Sequence, residues 1–155
     1  MGSLDFVHLA GMDTDMGPLL VYLQDFFAQR SDPGILAAYL FGSHAAGRAV
    51  RESDVDVAVL VDREAYATRR SRSDLGFELM LDLMSALHKN EVDVVILNDA
   101  PPELGRKVVQ SGIRVHASSA ESARAYQRDI QLRAADLDPF LRRARRSLLE
   151  HYVLR

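Results

Sequence analysis

The chain has 155 residues, about half of them apolar and about a quarter charged, with a formal charge of -3 and no cysteine. That length suits one domain with a core large enough to hold without staples, and the missing cysteines exclude a disulfide framework and a thiolate zinc site. No segment has the apolar length of a bilayer span, and the acidic balance excludes a surface that grips long nucleic acid throughout. The start, "MGSLDFVHLAG", lacks a basic region followed by a long apolar run, so a cytoplasmic protein with no membrane contact is expected.

Residues 1–16 are expected to be flexible or are poorly determined by sequence. Pro18 to Gln29 then places Leu19, Leu20, Leu23, Phe26 and Phe27 at helical spacing. "SDPG" at Ser31 to Gly34 is turn chemistry, and Ile35 to Phe41 reads as a buried strand. Val55 to Val61 is a second strand, rich in branched residues. Between Arg72 and Lys89 a stripe of Leu75, Leu79, Met80, Leu83, Met84 and Leu87 predicts a helix whose methionines are core filling. Glu91 to Leu97 is a third strand, "APPEL" from Ala100 opens a short helix through Val109, and Ile113 to Ala117 is a candidate edge strand. Beyond Ser118 two helices are predicted, one to about Ala134 and one from Asp138 to His151, with "DPF" read as an N-cap followed by a first-turn proline. Residues 118–155 thus form a helical C-terminal part of a single domain spanning 1–155. The order indicates α/β layering around a small sheet.

Arg124 to Arg155 holds eight arginines against four acids, including "RRARR" from Arg142. An exposed helix face accounts for this, as does a docking surface for an acidic partner or a phosphate.

The sharper pattern is "LFGSHAAGRAVRESDVDVAVLVD", Leu40 to Asp62. Side chains alternate along a strand, so Asp54 and Asp56 point to the same side, with Ala58 and Leu60 continuing that face. Two carboxylates beside apolar surface repel and are costly to desolvate unless something positive joins them. No lysine or arginine shares that face, which leaves a divalent cation as the candidate counter-ion, magnesium or manganese by ligand type. A parallel crossover between the second and third strands sets Asp93 beside them. Three such acids can hold two metals roughly 3.5–4 Å apart. Gly42 and Ser43 end the first strand ahead of "HAAG", where backbone N–H groups and the Ser43 hydroxyl are able to face a triphosphate. Arg48 and Arg51 are candidate phosphate contacts, although loop arginines are more commonly solvated. Alone, a D-x-D at a strand head is as readily turn chemistry, and a Gly-Ser pair more so; their combination with a third acid is far more specific. His44 reads as an incidental loop residue, and His8, His88, His116 and His151 show no ligand spacing.

At these residues the chain resembles the nucleotidyltransferase superfamily typified by DNA polymerase beta, whose pattern is Gly-Ser, ten residues, then Asp-x-Asp. Gly42, Ser43, Asp54 and Asp56 meet that spacing, Asp93 corresponds to the third carboxylate, and "APPELGRKVVQSGIRVHAS" is similar to the minimal nucleotidyltransferase branch. The resemblance implies the nucleotidyltransferase fold, α/β in the α+β sense, with a small mixed β-sheet flanked by helices and C-terminal helices. It implies Asp54, Asp56 and Asp93 as catalytic metal ligands for two Mg2+ ions, Mn2+ being an alternative, and Gly42 and Ser43 as contacts to ATP, with Arg48 the candidate phosphate contact beside them. It also implies an antitoxin that attaches AMP to a tyrosine of a HEPN-domain RNase toxin. Two alternatives are antitoxin action by occlusion without catalysis and nucleotidyl transfer to a small molecule such as an aminoglycoside. One departure is Ala46, where the branch commonly has an arginine; it bears on a phosphate contact, not on the metal site.

Overall fold

The computed structural model describes residues 16–50 and 52–153; most of the expected flexible start, His8 and Arg51 fall outside them. Nine elements follow in order: α1 (Met16–Arg30), β1 (Ile35–Phe41), α2 (Gly42–Ala45), β2 (Val55–Val61), α3 (Arg69–Leu87), β3 (Val92–Ile96), α4 (Pro102–Ser111), β4 (Ile113–Ala117) and α5 (Ala120–Val153). The four strands form one mixed sheet in the order β3-β2-β1-β4, in which β1 runs antiparallel to both neighbours and β2 and β3 run parallel. The parallel pair follows from its connection, since α3 carries the chain back to the starting end of the sheet before β3 begins.

Period-two alternation divides the sheet's side chains between two cores. Val55, Val57, Val59 and Val61 of β2 face α1 and α3, where Leu23, Phe27, Leu79 and Leu83 are buried. Each such side chain removed from water contributes about 1.5–3 kcal/mol. Ala58 and Leu60 face the other way, onto Leu97, Val108 of α4 and Ala123 of α5. On that side α4 lies close against α5, since a Cβ at Gly105 would fall within 3 Å of Ile130. A register shift between Ile35 and Ala37 marks a bulge in β1 opposite β2. Asp56 therefore belongs to the face covered by α4 and α5, at the open end where Phe41 of β1 is its ladder partner.

α3 begins earlier than the apolar stripe suggests, because Thr68 and Ser71 form a reciprocal capping box, and His88 at φ 51° ends it. The C-terminal region departs from expectation. The two predicted helices are one continuous α5 with Pro139 inside it. Asp138 does not cap a new helix; its carboxylate accepts from Arg142 one turn on, at 2.8 Å, along the same helix. Past Leu141 every described side chain of α5 is exposed, through Glu150. Among the described residues no helix is long and apolar enough to cross a membrane.

Candidate functional site

The acids stand at the leading edge of the parallel pair. Asp56 and Asp93 are direct ladder partners, and Val55 pairs with Val92 beside them. Because both acids lie on the α4/α5 side of neighbouring strands, their carboxylates occupy adjacent positions on one face. Asp54 immediately precedes β2, and its side chain is exposed, as is that of Asp93, while Asp56 is partly buried.

Electrostatics record this proximity. Burial, then the charges of Asp93 and Asp54, push the Asp56 carboxyl above its ordinary value, with His44 and Lys107 acting in the opposite sense. A fourth acid, Glu91, belongs to the group. Its carboxyl is raised, first through a hydrogen bond shared with Asp54 and then through the charge of Asp54. The sequence contained the signal, an acid two positions before Asp93 on the same strand face, but Glu91 read as a strand-terminal residue.

Gly42 closes over Asp56. It adopts φ +72°, and a Cβ built on it would lie 2.1 Å from the Asp56 Oδ2 atom, so only glycine fits both the backbone and the space. The Gly-Ser pair opens α2 itself, and the Arg48 amide folds back to the Ser43 carbonyl at 3.0 Å. The Arg48 side chain is exposed, and Ala46 is the exposed C-cap of α2. His44 is not incidental. Its ring is buried, with Nε2 3.3 Å from the Ser53 carbonyl, to which Lys89 Nζ also donates at 3.3 Å. Two side chains thereby fix the backbone one residue before Asp54, a role no sequence pattern marks.

Asp56 and Asp93 are brought side by side, and Asp54 immediately precedes β2 at the same end of the sheet. Among the described residues no three His, Asp or Glu side chains form a cluster that could hold a metal. The donor chemistry, oxygen ligands side by side with excess negative charge, nonetheless fits a hard divalent cation by type.

Residues 23–121 match the family described as polymerase beta, nucleotidyltransferase. No curated protein matches the chain. Among solved structures, a chain of a toxin-antitoxin with AMP-PNP is 25% identical at a TM-score of 0.59, over 90% of this chain and 98% of that one. A chain of a tri-AMPylated Shewanella oneidensis HEPN toxin in complex with an MNT antitoxin is 22% identical at a TM-score of 0.57, over 86% of this chain and 98% of that one. An MntA-HepT toxin-antitoxin gives 22% identity and a TM-score of 0.54, over 86% and 97%. The last two show a shared fold. With its mixed sheet, its Gly-Ser turn packed on an acid-headed strand and a family match over most of its length, the chain belongs to the polymerase beta nucleotidyltransferase family.

Proposed function

We propose that this chain is a magnesium-dependent nucleotidyltransferase that moves AMP from ATP to a tyrosine hydroxyl of a HEPN-domain RNase, acting as that toxin's antitoxin. The observation that carries the reading is the ladder pairing of Asp56 with Asp93 beneath the Gly42 turn. The likeness to a toxin-antitoxin with AMP-PNP supports ATP as donor. The acceptor is taken from the AMPylated HEPN toxin complex of the same fold.

Asp54, Asp56 and Asp93 would hold Mg2+, which when bound supplies charge neutralisation at the phosphates and favours ionisation of the acceptor hydroxyl. Gly42 leaves room for the Asp56 carboxylate beside the turn that the triphosphate would approach, and Ser43 would offer its hydroxyl there. Arg48, in the loop after α2, is the candidate side-chain contact to the phosphates. The acceptor oxygen bonds to the α-phosphorus as the bond to the pyrophosphate oxygen breaks. The hydroxyl proton passes to Asp93, and pyrophosphate leaves with the electron pair.

The test is transfer of label from α-labelled ATP to the co-purified HEPN protein. Labelling is expected with Mg2+ and its loss with EDTA; no labelling in the presence of Mg2+ sinks the reading. Gly42→Ala is expected to reduce labelling by about a hundredfold, because its methyl group must displace the Asp56 carboxylate. Wild-type rates in that variant would show that the turn does not set the carboxylate's position.

Occlusion has its own support. Phe140, Leu148 and Leu149 lie exposed among the arginines of α5, a surface able to cover a partner without chemistry.

A further inference from the structure

β3 is an outer strand of the sheet. The Val55 amide donates to the Glu91 carbonyl and the Leu97 amide to the Val59 carbonyl, which fixes the residues of β3 that face β2. Alternation then turns the N–H and C=O of Val94 and the N–H of Ile96 outward; the Ile96 carbonyl is taken by the Asp99 amide. Among the described residues no strand lies along that side.

A groove of about 500 Å3 follows this edge, walled by Gly76, Phe77 and Met80 of α3 and floored by Val94, Val95 and Ile96. Phe77 is 60% exposed at its rim. Edge strands are usually blunted by charge or proline, and from Val94 to Ile96 this one has neither. Outward N–H and C=O groups that find no partner among the described residues, beside the apolar side chains of Phe77 and Met80, match one occupant well, an extended peptide that pairs with the backbone and places alternate side chains in the groove. A helix laid there would leave those groups without partners.

The position of the edge gives the occupant a purpose. Asp93 immediately precedes Val94, on the face that also carries Asp56. A strand added to β3 would run about 4.8 Å from it, so a side chain level with Asp93 on that face would sit directly beside the acids.

We infer that the β3 edge, with Phe77 at its rim, docks an extended segment of the acceptor protein as an added strand and brings the acceptor hydroxyl to Asp93. The inference rests on the adenylyl-transfer reading and names how its acceptor binds.

Phe77→Glu places a charge in the groove from an exposed position, and Val94→Pro removes an outward N–H. Both are expected to raise KM for the HEPN protein about tenfold or more while KM for ATP stays at the wild-type value. Absence of labelling by wild type overturns the transfer reading and this inference together. Labelling by wild type with an unchanged KM for the HEPN protein in Phe77→Glu overturns the docking alone. Should Val94→Pro not fold, hydrogen exchange on the wild-type complex decides. The Val94 and Ile96 amides are expected to slow about tenfold or more on complex formation; unchanged rates, or protection already present in the isolated chain, refute it.

Discussion

Asp54→Asn combined with Asp56→Asn is expected to reduce transfer from labelled ATP by about three orders of magnitude while the protein stays folded and melts no lower than wild type at pH 7. The loss follows from removing two of the three charges that would hold the metal. The retained stability follows from electrostatics. Asp56 has its carboxyl raised by burial and by Asp93 and Asp54, so the fold disfavours its ionised form. With the folded value above the unfolded one, ionisation at neutral pH weakens the native state, and this penalty fades as pH falls through the raised value. Asparagine removes it, so the variant's advantage in thermal midpoint should be greatest at neutral pH and shrink on acidification. Calorimetry across pH, alongside the labelling assay, checks both. An inactive variant with a sharply lower midpoint would mean that these aspartates hold the fold. The same variant separates the two modes of neutralisation, since an occluding protein would still silence its partner.

Arg72→Ala is expected to lower the thermal midpoint by about 10 °C. The Arg72 guanidinium is buried and grips Asp99 through both Nε and Nη2 at 2.8 Å, while Nη1 donates to the carbonyls of Tyr66 and Ala67 at 3.0 and 3.1 Å. One side chain thus ties the loop before α3, the helix itself and the turn after β3. Alanine leaves a carboxylate and two carbonyls without their donor. Lysine cannot reproduce the fork and should recover only part of the loss. The hydrogen bond from Arg72 holds the Asp99 carboxyl below its ordinary 3.8. A depressed folded value means that this stabilisation is complete above pH 3.8 and disappears as pH falls through the lowered value. Thermal melts of wild type and variant should therefore differ most at neutral pH and converge in strong acid; a constant gap would show that packing, not the ion pair, is at stake.

Strands were the most legible part of the sequence. Ile35–Phe41, Val55–Val61 and Ile113–Ala117 form where branched and aromatic runs end in turn residues, since such runs have few alternatives to a buried sheet. The adjacency of Asp56 and Asp93 was legible because a helix between two strands implies a parallel pair. Pro139 misled for a local reason: Asp-Pro is good helix-start chemistry, and only the three-dimensional structure shows Asp138 engaged with Arg142 inside a longer helix. Glu91 was legible only through its place two residues before Asp93, and His44 was not legible as a member of the site. His44 joins through the carbonyl of Ser53, nine residues away, a contact that no spacing rule encodes.

The one-to-one match between Asp56 and Asp93 also limits how such a chain can vary. A ladder has a period of two, so a single residue inserted between Leu87 and Val92 that slid β3 by one step would bring Val92 level with Asp56 and turn Asp93 into the hydrocarbon layer beneath α1 and α3. Two inserted residues absorbed the same way would keep its parity yet carry it about 7 Å along the strand. Relatives that preserve the chemistry should therefore change length where the added residues loop out, and keep the count fixed wherever the strand would have to slip.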